Sequence, residues 1–165
     1  MELTKKILIV DDDIDVITAI ETILKKEGYQ VITANDKVEG KKLAISEKPD
    51  LAILDVMMTT HYEGFELARD LVENPEFKNM KVVMQSSIDI LTTTNPSVQA
   101  MAREYRQNPV YKDLQVLLIR NIHDNTAGID YRTESGESVW FPVDGFLRKP
   151  VDPDRVLPEL ARLLA

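Results

Sequence analysis

Ile7-Leu8-Ile9-Val10-Asp11-Asp12-Asp13 decides how this chain is read. Four consecutive aliphatic residues suit a strand buried on both faces, as in a parallel sheet, and the run closes on acids. The same grammar returns at Leu51-Ala52-Ile53-Leu54-Asp55. Lys81-Val82-Val83-Met84 and Gly145-Phe146-Leu147-Arg148-Lys149 add two strands, and Gln30-Val31-Ile32-Thr33 a short one. Helical patterns lie between them. Ile17, Ile20, Ile23 and Leu24 share a face before Gly28, where a helix should stop. Asp36 is placed to cap a second helix reaching about Glu47, and a third runs from about Gly64 through Leu71. The tail Asp154–Leu164 has helical spacing, with Pro158 expected to disturb its early turns. Strand and helix alternate, so the expected fold is α/β, a doubly wound parallel sheet whose ligands gather at the carboxyl ends of the strands.

Composition narrows the chemistry. With 165 residues the chain is expected to form a single domain, 1–165. A formal net charge of −8 argues against a nucleic-acid surface, which needs clustered Lys and Arg. No apolar run approaches membrane-span length and Met1–Lys6 lacks a signal-peptide layout, so a cytoplasmic protein with no membrane partner is expected. Zero cysteines exclude thiol catalysis and disulfide scaffolding, and two histidines, His61 and His123, leave little for a His-rich metal site. Carboxylates are the plentiful reactive groups. Asp11, Asp12 and Asp55 each stand at the end of a buried strand, so the sheet should bring them to one rim. Converging carboxylates repel unless they share a cation, and a hard divalent ion such as Mg²⁺ with oxygen ligands answers that repulsion. Asp13 and Asp15 read instead as a solvated acidic loop.

Four motifs, at Ile7–Asp13, at Ile53-Leu54-Asp55-Val56-Met57-Met58, at Val82-Val83-Met84-Gln85-Ser86 and at Phe146-Leu147-Arg148-Lys149-Pro150, resemble the receiver domain of two-component response regulators. The resemblance covers about residues 5–88 and 143–164. It implies a flavodoxin-like receiver with core strand order 2-1-3-4-5. It also implies Asp55 as phosphoacceptor, Asp12 as a direct Mg²⁺ ligand, Asp11 ligating chiefly through water, and an oxygen from the Met57 carbonyl. Lys149 would pair with phosphoryl oxygens, the Ser86 hydroxyl would bond to them, and Phe146 stands where many receivers carry a switching aromatic. A cis peptide at Lys149-Pro150 is implied as well. The chain departs from the pattern after Asp55. Val56-Met57-Met58-Thr59 puts Thr where Pro is usual, with one residue more before Gly64, so the loop holding His61 is expected to be remodelled.

Ser86 and Lys149 are 63 positions apart, whereas a parallel crossover needs on the order of a dozen residues or somewhat more. An insertion at about 89–142 is therefore expected, holding an extra helix and strand. Its helical stripe is Val98, Met101, Ala102 and Tyr105. Asn74–Met84 echoes Asn108–Leu118 at an offset of 34, by duplication or by chance. The counterpart of Ser86 in the second copy is Arg120, which has no hydroxyl, so the first copy is assigned as the functional strand. Val116–Ile119 is then expected at an outer position, because a strand between the fourth and the Lys149 strand would pull Lys149 away from Asp55. Asp130–Trp140 reads as a hairpin or loop, anchored by Trp140-Phe141-Pro142.

The function that follows is a phosphorylation-controlled receiver, not an enzyme beyond its own phosphorylation and dephosphorylation. Its expected partners are a histidine kinase or phosphotransfer protein and an unidentified downstream protein, with a homodimer compatible. An output domain is not expected within these 165 residues. Two alternatives stay open: a haloacid-dehalogenase-like phosphatase using Asp11 in Asp11-x-Asp13, and a phosphorylation-independent scaffold.

Overall fold

The computed structural model describes residues 4–56, 63–133 and 135–165. The chain divides into two compact units, Met1–Ser87 with Leu147–Ala165, and Ile88–Phe146.

In the first unit the buried runs form parallel strands β1 (Lys6–Val10), β2 (Gln30–Ala34), β3 (Leu51–Asp55) and β4 (Lys81–Ser86). With β9 (Gly145–Arg148) they make a five-stranded sheet ordered β2-β1-β3-β4-β9. That is the expected 2-1-3-4-5 order once the intervening strands β5 to β8 are set aside. The register pairs Val10 with Leu54 and Asp55 with Gln85, so the acids after β1 and at the end of β3 emerge on one rim. Because the middle strands are aliphatic at consecutive positions, both faces of the sheet take helices. Helices α1 (Ile14–Lys26) and α5 (Pro153–Leu164) close one face through Ile17, Ile20, Leu24, Val156 and Leu160, packed on Ile7, Ile9, Ile53 and Val83. On the other side, α2 (Lys37–Glu47) packs on β1 and β2, and α3 (Glu63–Glu73) on β3 and β4.

Local signals explain where these helices begin and end. Asp36 caps α2 by accepting from the Glu39 N–H. Past α1, Gly28 adopts φ +93° and the Gly28 and Tyr29 N–H groups return to the Lys25 and Leu24 carbonyls. Asp13 is more than a solvated acid: its carboxylate accepts from the Asp15 N–H and caps α1. Pro158 does not disturb α5. It is exposed, and the carbonyl opposite its missing N–H belongs to exposed Asp154 in the first turn, where solvent can reach it.

The second unit exceeds the expected helix and strand. Strands β5 (Ile90–Thr93), β6 (Val116–Asn121), β7 (Ala127–Arg132) and β8 (Ser138–Val143) form a separate four-stranded sheet in that order, with α4 (Val98–Gln107) on one face. Val116–Ile119 therefore takes no outer position in the first sheet. Its strand lies between β5, parallel, and β7, antiparallel, so both its edges are used. Val98 and Ala102 of α4 pack on Leu117 and Ile119, with Leu91, Tyr105 and Trp140 around them. Segment 130–140 is the β7–β8 hairpin, closed by Thr133 N–H to Glu137 C=O and Gly136 N–H to Thr133 C=O. Trp140 anchors it on its own unit: the ring lies so close to Gly128 that a Cβ there would fall 2.2 Å from it.

The 34-residue echo is structural as well as sequential. In each copy an Asn side chain, Asn74 or Asn108, accepts from the N–H two residues on, at 3.0 and 2.9 Å. The Phe77 and Tyr111 N–H groups return to the carbonyls of those asparagines, and the Met80 and Leu114 N–H groups to Phe77 and Tyr111. Each turn joins a helix to a strand parallel to the one before that helix, as β3-α3-β4 and β5-α4-β6.

Gly64, at the start of α3, touches the end of β3. A Cβ there would lie 2.0 Å from the Asp55 carbonyl oxygen and 2.6 Å from that of Val56, both backbone atoms that cannot rotate aside. Gly64→Ala should therefore destabilise the protein by about 2 kcal/mol or more, as overpacking against backbone does. Urea unfolding followed by circular dichroism measures it. An unchanged midpoint would mean that the close approach places no constraint on this helix start.

Candidate functional site

The carboxyl rim of the first sheet brings together Asp11, Asp12, Asp55 and Lys149. They arrive by three routes. Asp11 and Asp12 follow β1 directly, Asp55 is the last residue of β3, and Lys149 follows β9. Asp11 and Asp55 are almost wholly buried, at 1% and 3% exposure, while Asp12 is exposed. One carboxylate oxygen from each of the three lies within 4.8 Å of the others. The Lys149 ammonium bridges the buried pair, 3.2 Å from Asp11 Oδ2 and 3.3 Å from Asp55 Oδ1.

The backbone fixes this bridge. The Lys149 N–H donates to the Ser86 carbonyl at 2.9 Å, tying the residue after β9 to the end of β4, and the Lys149-Pro150 peptide is cis, as the resemblance implies. Asp11 is oriented through Oδ1, which accepts from the Asp13 N–H at 2.9 Å. Its other oxygen, Oδ2, is buried and, among the described residues, has no well-directed hydrogen-bond partner; the Lys149 ammonium faces it at ion-pair distance. Ser86 is buried at the end of β4, one residue past the partner of Asp55. Phe146 is buried within β9. Met57 and His61 lie outside the described residues.

The electrostatics leave room for a cation. Burial works to lower the Lys149 pKa, but the nearby charges of Asp55 and Asp11 outweigh it and hold the ammonium above its ordinary value. A raised lysine contributes stability that is fully present below the unfolded-state value, about 10.4, and is lost only as pH rises through the higher folded-state value. Lys149 is thus charged throughout the neutral range. Three carboxylates against one ammonium leave a formal charge of −2, which one divalent ion balances. An all-oxygen donor set with a buried oxygen that lacks a directed bond fits a hard cation such as Mg²⁺, with Asp11, Asp12 and Asp55 as the holding residues.

Sequence reasoning missed the capping carboxylate of Asp13. Its position just before an apolar helical stripe was the available signal. That role bears on the phosphatase reading, which needs Asp13 as a partner of Asp11. The Asp13 carboxylate serves α1, and its N–H serves Asp11 Oδ1.

Removing the ammonium should expose what it balances. Lys149→Met is expected to lose about 1–3 kcal/mol in metal-free buffer, less than a fully buried pair would, because the lysine side chain is 24% exposed. MgCl₂ should recover part of that loss, since it neutralises the same carboxylates. Thermal unfolding with and without MgCl₂ reads both. A variant as stable as the parent in metal-free buffer would show that the carboxylates do not need the lysine.

Comparison with known proteins gives a consistent set of likenesses. The family described as "Response regulator receiver domain" matches residues 7–118. The alkaline phosphatase synthesis transcriptional regulatory protein PhoP of Bacillus subtilis is 45% identical over 69 residues, 42% of this chain and 28% of that protein. Protein PilH of Pseudomonas aeruginosa is 34% identical over 79 residues, 48% of this chain and 64% of PilH. The chain thus spans less than two thirds of either relative. Among solved structures, chemotaxis protein CheY4 of Vibrio cholerae aligns with TM-score 0.61 at 22% identity, covering 98% of this chain and 99% of its own. A signal receiver domain from Bermanella marisrubri aligns with TM-score 0.62 at 22% identity, covering 99% and 100%. At those identities the structures speak for the fold. Among the described residues, no helix is long and apolar enough to cross a membrane.

Proposed function

The chain belongs to the response regulator receiver domain family, and from that premise we propose that it is a phosphorylation-controlled signalling receiver whose phosphoacceptor is Asp55. The observation that carries this reading is a buried carboxylate at the end of a central parallel strand, bridged by Lys149 to a second buried carboxylate beside an exposed third.

In this reading a carboxylate oxygen of Asp55 attacks the phosphorus of a phosphohistidine on a histidine kinase or phosphotransfer protein. The new O–P bond forms as the P–N bond breaks, and the imidazole leaves with the donor. Such a transfer asks little of acid–base chemistry and much of positioning and charge neutralisation. Mg²⁺, when bound by Asp11, Asp12 and Asp55, with an oxygen of Met57 implied by the resemblance, supplies charge to the phosphoryl oxygens. Lys149 already lies beside Asp55 and turns its ammonium to the incoming group. The Ser86 hydroxyl donates to a phosphoryl oxygen and registers its presence, and Phe146, two residues before the end of the neighbouring strand, follows that change. Asp11 keeps its carboxylate aimed through the Asp13 N–H. The protein performs no chemistry beyond gaining and losing this group, acts in the cytoplasm, and signals by protein contact. Residues 88–146 are an inserted unit within one receiver domain.

Incubation with acetyl phosphate and MgCl₂, followed by intact-mass analysis, should add one phosphoryl group to the parent protein and none to Asp55→Asn. Omitting the metal should suppress labelling. Equal labelling of Asp55→Asn, together with its loss in Asp11→Asn, would transfer the nucleophile to Asp11 and sink the proposal.

A further inference from the structure

We propose that Gln85 is a positioning residue for Lys149: once Asp55 carries a phosphoryl group, the Gln85 carboxamide oxygen accepts from the Lys149 ammonium and holds it against the phosphoryl oxygens. The proposal deepens the reading of Asp55 as phosphoacceptor and rests on it.

Strand register places Gln85 at the site. It pairs with Asp55 across β3 and β4, two residues after the pair Ile53 and Val83. Ile53, Val83 and Leu147 all pack in the core that α1 and α5 cover. Side chains two apart on a strand share a face, so Asp55 and Gln85 stand side by side on that face of the sheet. The backbone fixes the pairing, since the Val56 N–H donates to the Gln85 carbonyl at 2.9 Å. Gln85 is buried, at 2% exposure.

Lys149 has to pass over this residue. Strand β4 lies between β3 and β9. Adjacent strands are ~4.8 Å apart, so Asp55 and the strand that Lys149 follows are separated by about 10 Å. The ammonium nevertheless lies 3.3 Å from Asp55 Oδ1, while the Lys149 N–H is held on the Ser86 carbonyl. Leu147 faces the α1 and α5 core, and Lys149, two residues on, continues that face. Its four-carbon stem therefore crosses the end of β4, where Gln85 stands.

A buried amide costs free energy that an apolar residue of the same size avoids. Among the described residues the Gln85 carboxamide makes no hydrogen bond. Phosphorylation supplies the partner. The Asp55 oxygen that bonds phosphorus gives up its charge, and negative charge moves outward to the phosphoryl oxygens. The ammonium has to follow it. Of its three N–H donors, one stays toward Asp11 Oδ2, one turns to a phosphoryl oxygen, and one is left over. Glutamine is one methylene longer than aspartate, so the Gln85 carboxamide reaches beyond the Asp55 carboxylate and offers that third donor its acceptor. A lysine held there keeps its charge where the transition state and the product need it.

The test measures acetyl phosphate labelling of the full chain carrying Gln85→Met, a side chain of similar length without the amide. The maximal labelling rate should fall at least roughly tenfold, because a misplaced charge neutralises poorly. The phosphodonor concentration for half-maximal rate and the Mg²⁺ affinity should stay as in the parent. The urea midpoint should hold or rise, since an apolar side chain replaces a buried amide. In ¹⁵N- and ¹³C-labelled parent protein, beryllofluoride, which mimics the phosphoryl group on Asp55, should shift the Gln85 carboxamide and Lys149 ε-methylene signals together. The proposal is overturned if Gln85→Met is labelled at Asp55 as fast as the parent, or if its slower labelling comes with a lower urea midpoint. It is equally overturned if saturating beryllofluoride leaves the Gln85 carboxamide unmoved. A parent that takes no label at Asp55 overturns the phosphoacceptor reading and this proposal with it.

Discussion

One ammonium group holds the rim of the first sheet together. Lys149 follows the edge strand β9, yet it reaches carboxylates that belong to β1 and β3, and its backbone is tied to the end of β4. Without it, Asp11 and Asp55 would be two buried like charges with no cation between them, a costly arrangement. The rest of the unit can be understood as what keeps that lysine in reach. The strands must be parallel so that their ends meet at one rim. They must be aliphatic on both faces so that helices cover them, and Gly64 must lack a side chain so that α3 can begin against the Asp55 carbonyl.

In the proposed function the same bridge makes the rim responsive to charge. Asp11 Oδ2 is buried beside a cation without a directed hydrogen bond, and the three carboxylates exceed the ammonium by two charges. A divalent ion or, in the proposed function, a phosphoryl group would change that balance by whole charges. A rim already satisfied by hydrogen bonds would answer such changes weakly.

Much of the first unit was legible because its signals are local. Unbroken aliphatic runs ending in acids identified β1 and β3, the Asp36 cap and the Gly28 stop marked helix ends, and Lys149-Pro150 pointed to the closing residue of the site. The second unit was less legible because its stability rests on distant pairs. Asp130 in the middle of β7 reads as a solvent-facing acid, but it is buried against Arg106, 24 residues away. Burial raises its pKa, against the opposing pull of that arginine. Ala127 and Gly128 have weak strand preference, yet Gly128 is suited to this strand because the Trp140 ring lies on it. The echo at Asn108 was visible, whereas the separate sheet it belongs to was not, since nothing local in Val116–Ile119 distinguishes an edge place in one sheet from a middle place in another.

Calorimetric titration of Mg²⁺ into the parent protein and its Asp12→Ala, Asp55→Asn and Asp13→Ala variants tests most directly whether this rim is a shared-cation site. The account predicts one ion per chain for the parent and for Asp13→Ala, whose carboxylate is occupied in capping α1. It predicts at least roughly tenfold weaker binding for Asp12→Ala and Asp55→Asn, as removal of a direct carboxylate ligand requires. Equal affinity in Asp12→Ala and Asp13→Ala, or undiminished binding in Asp55→Asn, would contradict it.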